Sequence, residues 1–172
     1  VLGRVNGLLR HYGLGAQHRS LGMAAEELRP ARKALPELEV RSVWREEDRW
    51  NFCYVMSQAF ATSMETYLDA YARGGYWEGE TKGLVGYVDG QAVSTACYVP
   101  GRDAAGLYGV ATLPAARGRG YGEWMVRTAL EQARRETDCA RFVLQASGQA
   151  APLYRRLGFE TVTHVTVYNE VA

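Results

Sequence analysis

Pro114-Ala-Ala-Arg-Gly-Arg-Gly-Tyr-Gly122 is followed at once by an amphipathic run from Glu123 to Arg135, and a β-prone stretch from Leu107 to Thr112 precedes it. A strand, a tight Arg/Gly loop and a helix in that order expose several backbone N–H groups at a helix start. The helix dipole adds positive potential at the same end, so the loop is built to hold an anion such as a diphosphate. Arg117 and Arg119 add charge, while Gly118, Gly120 and Gly122 remove side chains that would keep phosphate oxygens away. A solvated Gly-rich turn has the same composition, so the loop alone leaves two readings open.

The neighbouring residues exclude two familiar phosphate loops. A Walker loop closes on Gly-Lys-Ser/Thr, and the chain's only lysines are Lys33 and Lys82. The dinucleotide fingerprint Gly-x-Gly-x-x-Gly fails as well: counted from Gly118 its third glycine falls on Glu123, and counted from Gly120 on Met125. The surviving pattern, Arg117-x-x-Gly120-x-Gly122, resembles the coenzyme-A diphosphate loop of the GNAT acyltransferase superfamily. A second segment, Leu153-Tyr154-Arg155-Arg156-Leu157-Gly158-Phe159, is similar to that family's Leu-Tyr-x-x-x-Gly-Phe signature, at the usual distance after the loop. It reads as a helix ended by Gly158, with Phe159 entering the last strand. On these two motifs the chain is identified as a member of the GNAT superfamily with an N-terminal extension.

The resemblance implies an α/β (α+β) fold: a central mixed, mostly antiparallel sheet with two splayed parallel strands and flanking helices. It implies acetyl-CoA as co-substrate and no metal. By the same resemblance the diphosphate sits on Arg117, Gly118, Arg119, Gly120, Tyr121 and Gly122. The pantetheine arm lies along Val110, Ala111 and Thr112, and Ser147 falls where many members place an asparagine. The backbone N–H of Thr112 is expected to donate to the thioester carbonyl, and Tyr154 to act as general acid toward the sulfur. The expected activity is N-acyl transfer to a primary amine of a small-molecule or peptide acceptor, by direct transfer in a ternary complex. The alternative is a non-catalytic coenzyme-A or acyl-CoA sensor or partner subunit. It draws on one departure from the family: no acid occurs between Asp103 and Glu123, where many relatives carry a base. Glu123 at a helix start complements the dipole. Tyr108 is expected to pack in the core, with a proton relay through water as the alternative. Glu65, Asp69, Glu78 and Glu80, mixed with Tyr67, Tyr71, Tyr76 and Trp77, suggest a lid over an amine, or equally a solvated face.

Composition narrows the class independently. At 172 residues the chain suits one domain able to bury a core without staples. A formal net charge of +1 gives no case for nucleic acid as a partner. Cys53, Cys97 and Cys139 are scattered, and His11, His18 and His164 show no ligand spacing, which argues against disulfides and metal. No apolar run approaches the ~20 residues of a membrane span. These features point to a reducing compartment, with cytoplasmic localisation and no membrane. No signal peptide is visible, and the chain opens at Val1 without methionine, which leaves room for an upstream segment.

Along the chain, helices are expected over Leu2–Tyr12, Glu46–Phe60 and Met64–Arg73, the last followed by the flexible pair Gly74-Gly75. Strands are expected over Glu37–Val43, Leu84–Val88, Ala92–Tyr98, Leu107–Thr112 and Arg141–Ser147, with Asp89-Gly90 as a hairpin turn. Ser20–Glu27 is ambiguous between strand and loop. The division this suggests is 1–36 as an N-terminal extension packed on the core and 37–172 as the GNAT domain. Leu9-Arg10-His11-Tyr12-Gly13-Leu14 echoes Tyr154-Arg155-Arg156-Leu157-Gly158-Phe159; a chance match of two helix–Gly–strand units is the favoured reading, and a worn half-repeat whose strand packs as a pseudo-symmetric partner of the C-terminal end is the alternative. The C-terminal strand around Val165-Thr166-Val167-Tyr168 invites edge pairing with a second copy, a homodimer, or equally is covered by the N-terminal extension in a monomer.

Overall fold

The computed structural model describes residues 2–72 and 74–170. Helix α1 (Leu2–His11) leads into strand β1 (Leu14–Ala25), and an extended segment then reaches strand β2 (Glu39–Ser42). Helices α2 (Glu46–Phe60), α3 (Met64–Tyr71) and α4 (Gly74–Glu78) follow, then strands β3 (Lys82–Val88), β4 (Gln91–Val99) and β5 (Ala105–Thr112). A 3-10 turn at Pro114–Ala116 precedes helix α5 (Tyr121–Glu136), strand β6 (Phe142–Ala146), helix α6 (Ala151–Leu157) and strand β7 (Glu160–Glu170). Arg73, the end of the helix expected over Met64–Arg73, lies outside the described residues.

The strands form one sheet in the order β2-β3-β4-β5-β6-β1-β7. Every neighbouring pair is antiparallel except β5 and β6. β3 and β4 read as near-continuous apolar runs because both of their faces are covered. On one face Leu84, Ala96 and Tyr98 meet the buried stripe Tyr121, Met125, Val126, Ala129, Leu130 and Ala133 of α5. On the other, Val85, Tyr87 and Cys97 pack with Phe52, Val55 and Met56 of α2. The Asp89-Gly90 turn takes φ of 49° and 75°, the two left-handed residues of a type I′ hairpin. At the start of α2 the Asp48 carboxylate accepts the Arg45 N–H at 3.2 Å, and Glu46 and Glu47 lie on the positive end of the helix dipole.

The N-terminal segment enters the sheet itself. β1 lies between β6 and β7, pairing antiparallel with both, and its ladder with β7 runs from Leu14↔Glu170 to Ala24↔Glu160. Ser20–Ala25 is therefore strand, and it begins earlier, at Leu14. The two echoing units, α1–Gly13–β1 and α6–Gly158–β7, end side by side as an antiparallel strand pair. β2 is shorter than the expected Glu37–Val43. It is an edge strand, and its end is exposed and charged, with Arg41 paired to Glu39 at 2.7 Å. Among the described residues no helix is long and apolar enough to cross a membrane.

Candidate active site

One irregularity in the sheet opens the site. Between Thr95↔Ala111 and Cys97↔Tyr108, β5 carries one residue more than β4, a bulge at Gly109–Val110. Gly109 sits at φ +56°, and a Cβ there would lie 2.9 Å from Phe52 Cζ and 3.1 Å from Cys97 Sγ, so only glycine fits. The Thr95 hydroxyl donates to Gly109 O at 2.9 Å and fixes the bulge. Beyond it, Leu113 N–H donates to Val93 O at 2.9 Å. Strand alternation then turns the N–H and C=O of Thr112 to the opposite edge. β6 pairs with β5 only over Ala105–Leu107, so from Tyr108 onward that edge faces a gap. The Thr112 hydroxyl is tied to the sheet: it lies 2.9 Å from Ser94 Oγ, whose own proton goes to Ala111 O at 2.6 Å. Any role for Thr112 in the gap belongs to its backbone.

The Arg/Gly loop carries the chain from β5 to α5. Gly120 is the residue before the helix, at φ +93°, with no side-chain cap on the first-turn N–H groups. Pro36 closes over it: a Cβ at Gly120 would lie 3.1 Å from Pro36 Cδ. Gly122 meets only ordinary contacts, Thr112 Oγ1 at 3.4 Å and Leu153 Cδ2 at 3.9 Å, so its missing side chain leaves room above β5. The two loop arginines differ. Arg117 donates from Nη2 to Ala59 O at 2.7 Å and from Nε to Thr112 O at 3.2 Å, lashing the end of α2 to the end of β5. Arg119 is exposed and makes no ion pair among the described residues.

Gap and loop open into one cavity of about 830 Å³. Val110, Ala111, Thr112, Arg117, Gly118, Arg119, Gly120, Tyr121, Gly122, Ser147 and Tyr154 all line it. Tyr154 is 7% exposed, stacks edge-on to Phe159 at 5.8 Å, and burial pushes its phenol up to about 12. It is therefore neutral and able to donate at any ordinary pH. Ser147 Oγ accepts the Ala150 N–H at 3.2 Å, holding the turn into α6 while its own proton stays available to a ligand. α6 ends on Gly158 at φ +107°, with Phe159 N–H donating to Tyr154 O at 3.0 Å, so the Gly-Phe half of the motif fixes the helix that carries the tyrosine.

The cavity also has walls that sequence reasoning did not find. Pro30, Arg32, Lys33, Ala34 and Leu35 come from the segment joining β1 to β2, Ala59 and Phe60 from the end of α2, and Arg156 from α6. Nothing in the sequence of the joining segment marks it, because its position depends on where β1 enters the sheet. Among the described residues Glu123 is the one carboxylate on the wall, and its partner is Arg127 at 2.7 Å. Glu65, Asp69, Glu78 and Glu80 are exposed and none lines the cavity. The lid reading fails for Trp77, which is 2% exposed beneath β3, with Nε1 donating to Tyr71 O at 2.5 Å and its ring edge-on to Phe52 at 5.0 Å. Tyr108, expected in the core, is 48% exposed. Among the described residues no cluster of His, Cys, Asp or Glu could hold a metal ion.

The wall thus offers uncapped helix N–H groups, a surplus of cations and one neutralised acid, donors suited to a ligand with a diphosphate and an extended neutral arm. The sequence profile described as Acetyltransferase (GNAT) family matches residues 43–159, more than half of the chain. The chain belongs to the GNAT acetyltransferase family. Among solved structures, this GNAT chain is similar to a GCN5-related N-acetyltransferase from Kribbella flavida, with a TM-score of 0.68, 20% identity and 96% of this chain matched to 63% of that one. It is also similar to a conserved protein of unknown function from Staphylococcus epidermidis, with a TM-score of 0.65, 15% identity and coverage of 95% and 65%. A third likeness is to a predicted acetyltransferase with acetyl-CoA from Clostridium acetobutylicum, with a TM-score of 0.61, 15% identity and coverage of 73% and 92%. At such identities these likenesses show the fold. The chain spans just under two thirds of the length of the first two. No curated protein sequence matches it.

Proposed function

We propose that this GNAT chain transfers an acetyl group from acetyl-CoA to a primary amine, by direct transfer with both substrates bound. The observation that carries the reading is the single cavity joining the uncapped start of α5, the free edge of β5 and the buried Tyr154. The loop N–H groups with Arg119 hold the diphosphate. The pantetheine arm pairs with β5 in the place β6 has left. Thr112 N–H points from that edge toward the acyl oxygen, where one preorganised donor lowers the barrier by roughly 3–4 kcal/mol. As the amine attacks the acyl carbon and the carbon–sulfur bond breaks, Tyr154 gives its proton to the departing sulfur. Among the described residues the wall holds no unpaired carboxylate, so the amine arrives neutral, its surplus N–H proton leaves to water after attack, and water returns a proton to the Tyr154 phenolate.

The pairing of Glu123 with Arg127 favours a second reading, a chain that binds acyl-CoA without turnover. Thiol release measured against an amine panel separates the two. Release that requires both acetyl-CoA and an acceptor, and that falls in Tyr154→Phe, supports catalysis. Binding of acetyl-CoA with no release for any acceptor would establish the sensor instead.

A further inference from the structure

The segment from Glu26 to Leu38 is a strap drawn across the helix face of the sheet. At one end Arg134 donates to Glu26 O, Arg29 N–H to Leu157 O at 2.9 Å, and Arg127 to Arg29 O at 2.8 Å. At the other, Pro36 packs on Gly120 and Leu38 is buried beside Met125. Between these anchors Arg32 and Lys33 line the cavity, exposed and without an ion pair among the described residues. Two adjacent cations on a free loop would be a solvated stretch; here both ends are pinned and the cations face a cavity. Because Pro36 seats on Gly120, the strap meets a ligand at its diphosphate end.

The charges there exceed what a diphosphate needs. The uncapped N–H groups and Arg119 already serve it, and Arg117 is engaged by two carbonyls. Arg32 and Lys33 are a second pair of cations, with no ion-pair partner among the described residues. We propose that Arg32 and Lys33 form a separate subsite for a phosphate monoester on the nucleotide end of the ligand, the 3′-phosphate of coenzyme A. This rests on reading the cavity as a coenzyme-A site. A monoester carries about −1.5 to −2 charge at pH 7, and an anchored strap gives up little freedom on binding it.

The test is calorimetric titration of the full chain with coenzyme A and with 3′-dephospho-coenzyme A, for the unsubstituted protein and for Arg32→Ala/Lys33→Ala. Thermal melting confirms that the variant, altered only at exposed positions, is folded. The unsubstituted protein is expected to prefer coenzyme A by about tenfold or more, the scale of charge-assisted hydrogen bonds. The double variant should lose that preference while binding dephospho-coenzyme A within about twofold of the original. Equal weakening of both ligands, a preference that survives the substitutions, or no preference at the outset would overturn the subsite alone. Binding of neither ligand by the unsubstituted protein would overturn the coenzyme-A reading and the subsite with it.

Discussion

Tyr154 and Gly120 bear the plainest consequences of the geometry. Burial holds the Tyr154 phenol near 12, so its deprotonation cannot set the alkaline limb of a pH–rate profile below about pH 10. Tyr154→Phe removes the proton donor and little volume. We expect kcat to fall by roughly 10²–10⁴-fold with the Kd for coenzyme A nearly unchanged, read by steady-state kinetics and calorimetry; an unaltered kcat would remove Tyr154 from the chemistry. Gly120→Ala asks alanine to hold φ +93° with its Cβ 3.1 Å from Pro36 Cδ. Melting curves should show a loss of about 1–2 kcal/mol, and coenzyme-A affinity should fall with the displaced loop. Tyr154 was legible because it stands inside a spaced motif. Trp77 was not, because an aromatic beside two glycines and two acids reads the same on a lid or under a sheet.

The loop and the bulge make the same contrast between elements. The sequence offered Arg117 and Arg119 as equal cations on one turn, and the fold separates them. Arg117 ties α2 to β5 through Ala59 O and Thr112 O, while Arg119 faces solvent and cavity. Arg119→Ala should weaken coenzyme-A binding by an amount that grows as salt is lowered. Arg117→Ala should lower the melting temperature and kcat together, with little dependence on salt; identical salt slopes for the two variants would contradict this division. The bounds of α2 and the Asp89-Gly90 hairpin could be read locally because turn residues and apolar spacing are local signals, whereas α5 begins at Tyr121, two residues ahead of the expected run from Glu123. The Gly109 bulge could not, since two residues opposing one is a property of paired strands. Nor could the place of β1, whose partners lie from 117 residues away (Ala25↔Phe142) to 156 residues away (Leu14↔Glu170).

Across the whole molecule, burial raises several groups that ionise in the alkaline range. Cys53 is pushed up to about 11, Cys97 to about 12 and Tyr154 to about 12, while Tyr71, Tyr87 and Tyr98 move in the same direction for the same first cause. Unfolded, these thiols and phenols titrate from 9.0 and 10.0 upward. The folded state therefore keeps protons that the unfolded chain loses. Stability is complete below about pH 9 and falls as pH rises from there toward 12. Melting temperatures recorded from pH 7 to 11 should hold and then decline above about 9; a flat profile to pH 11 would contradict the burial of these groups. The family was legible from two motifs that this one sheet brings to one cavity, whereas the strap over the loop needed the whole topology. The measurement that bears most directly on the site is a structure of the complex with coenzyme A. It should place diphosphate oxygens about 3 Å from the N–H groups of residues 118–122 and the sulfur within hydrogen-bond reach of Tyr154 Oη. A diphosphate bound away from that loop, or a sulfur directed away from Tyr154, would contradict the account.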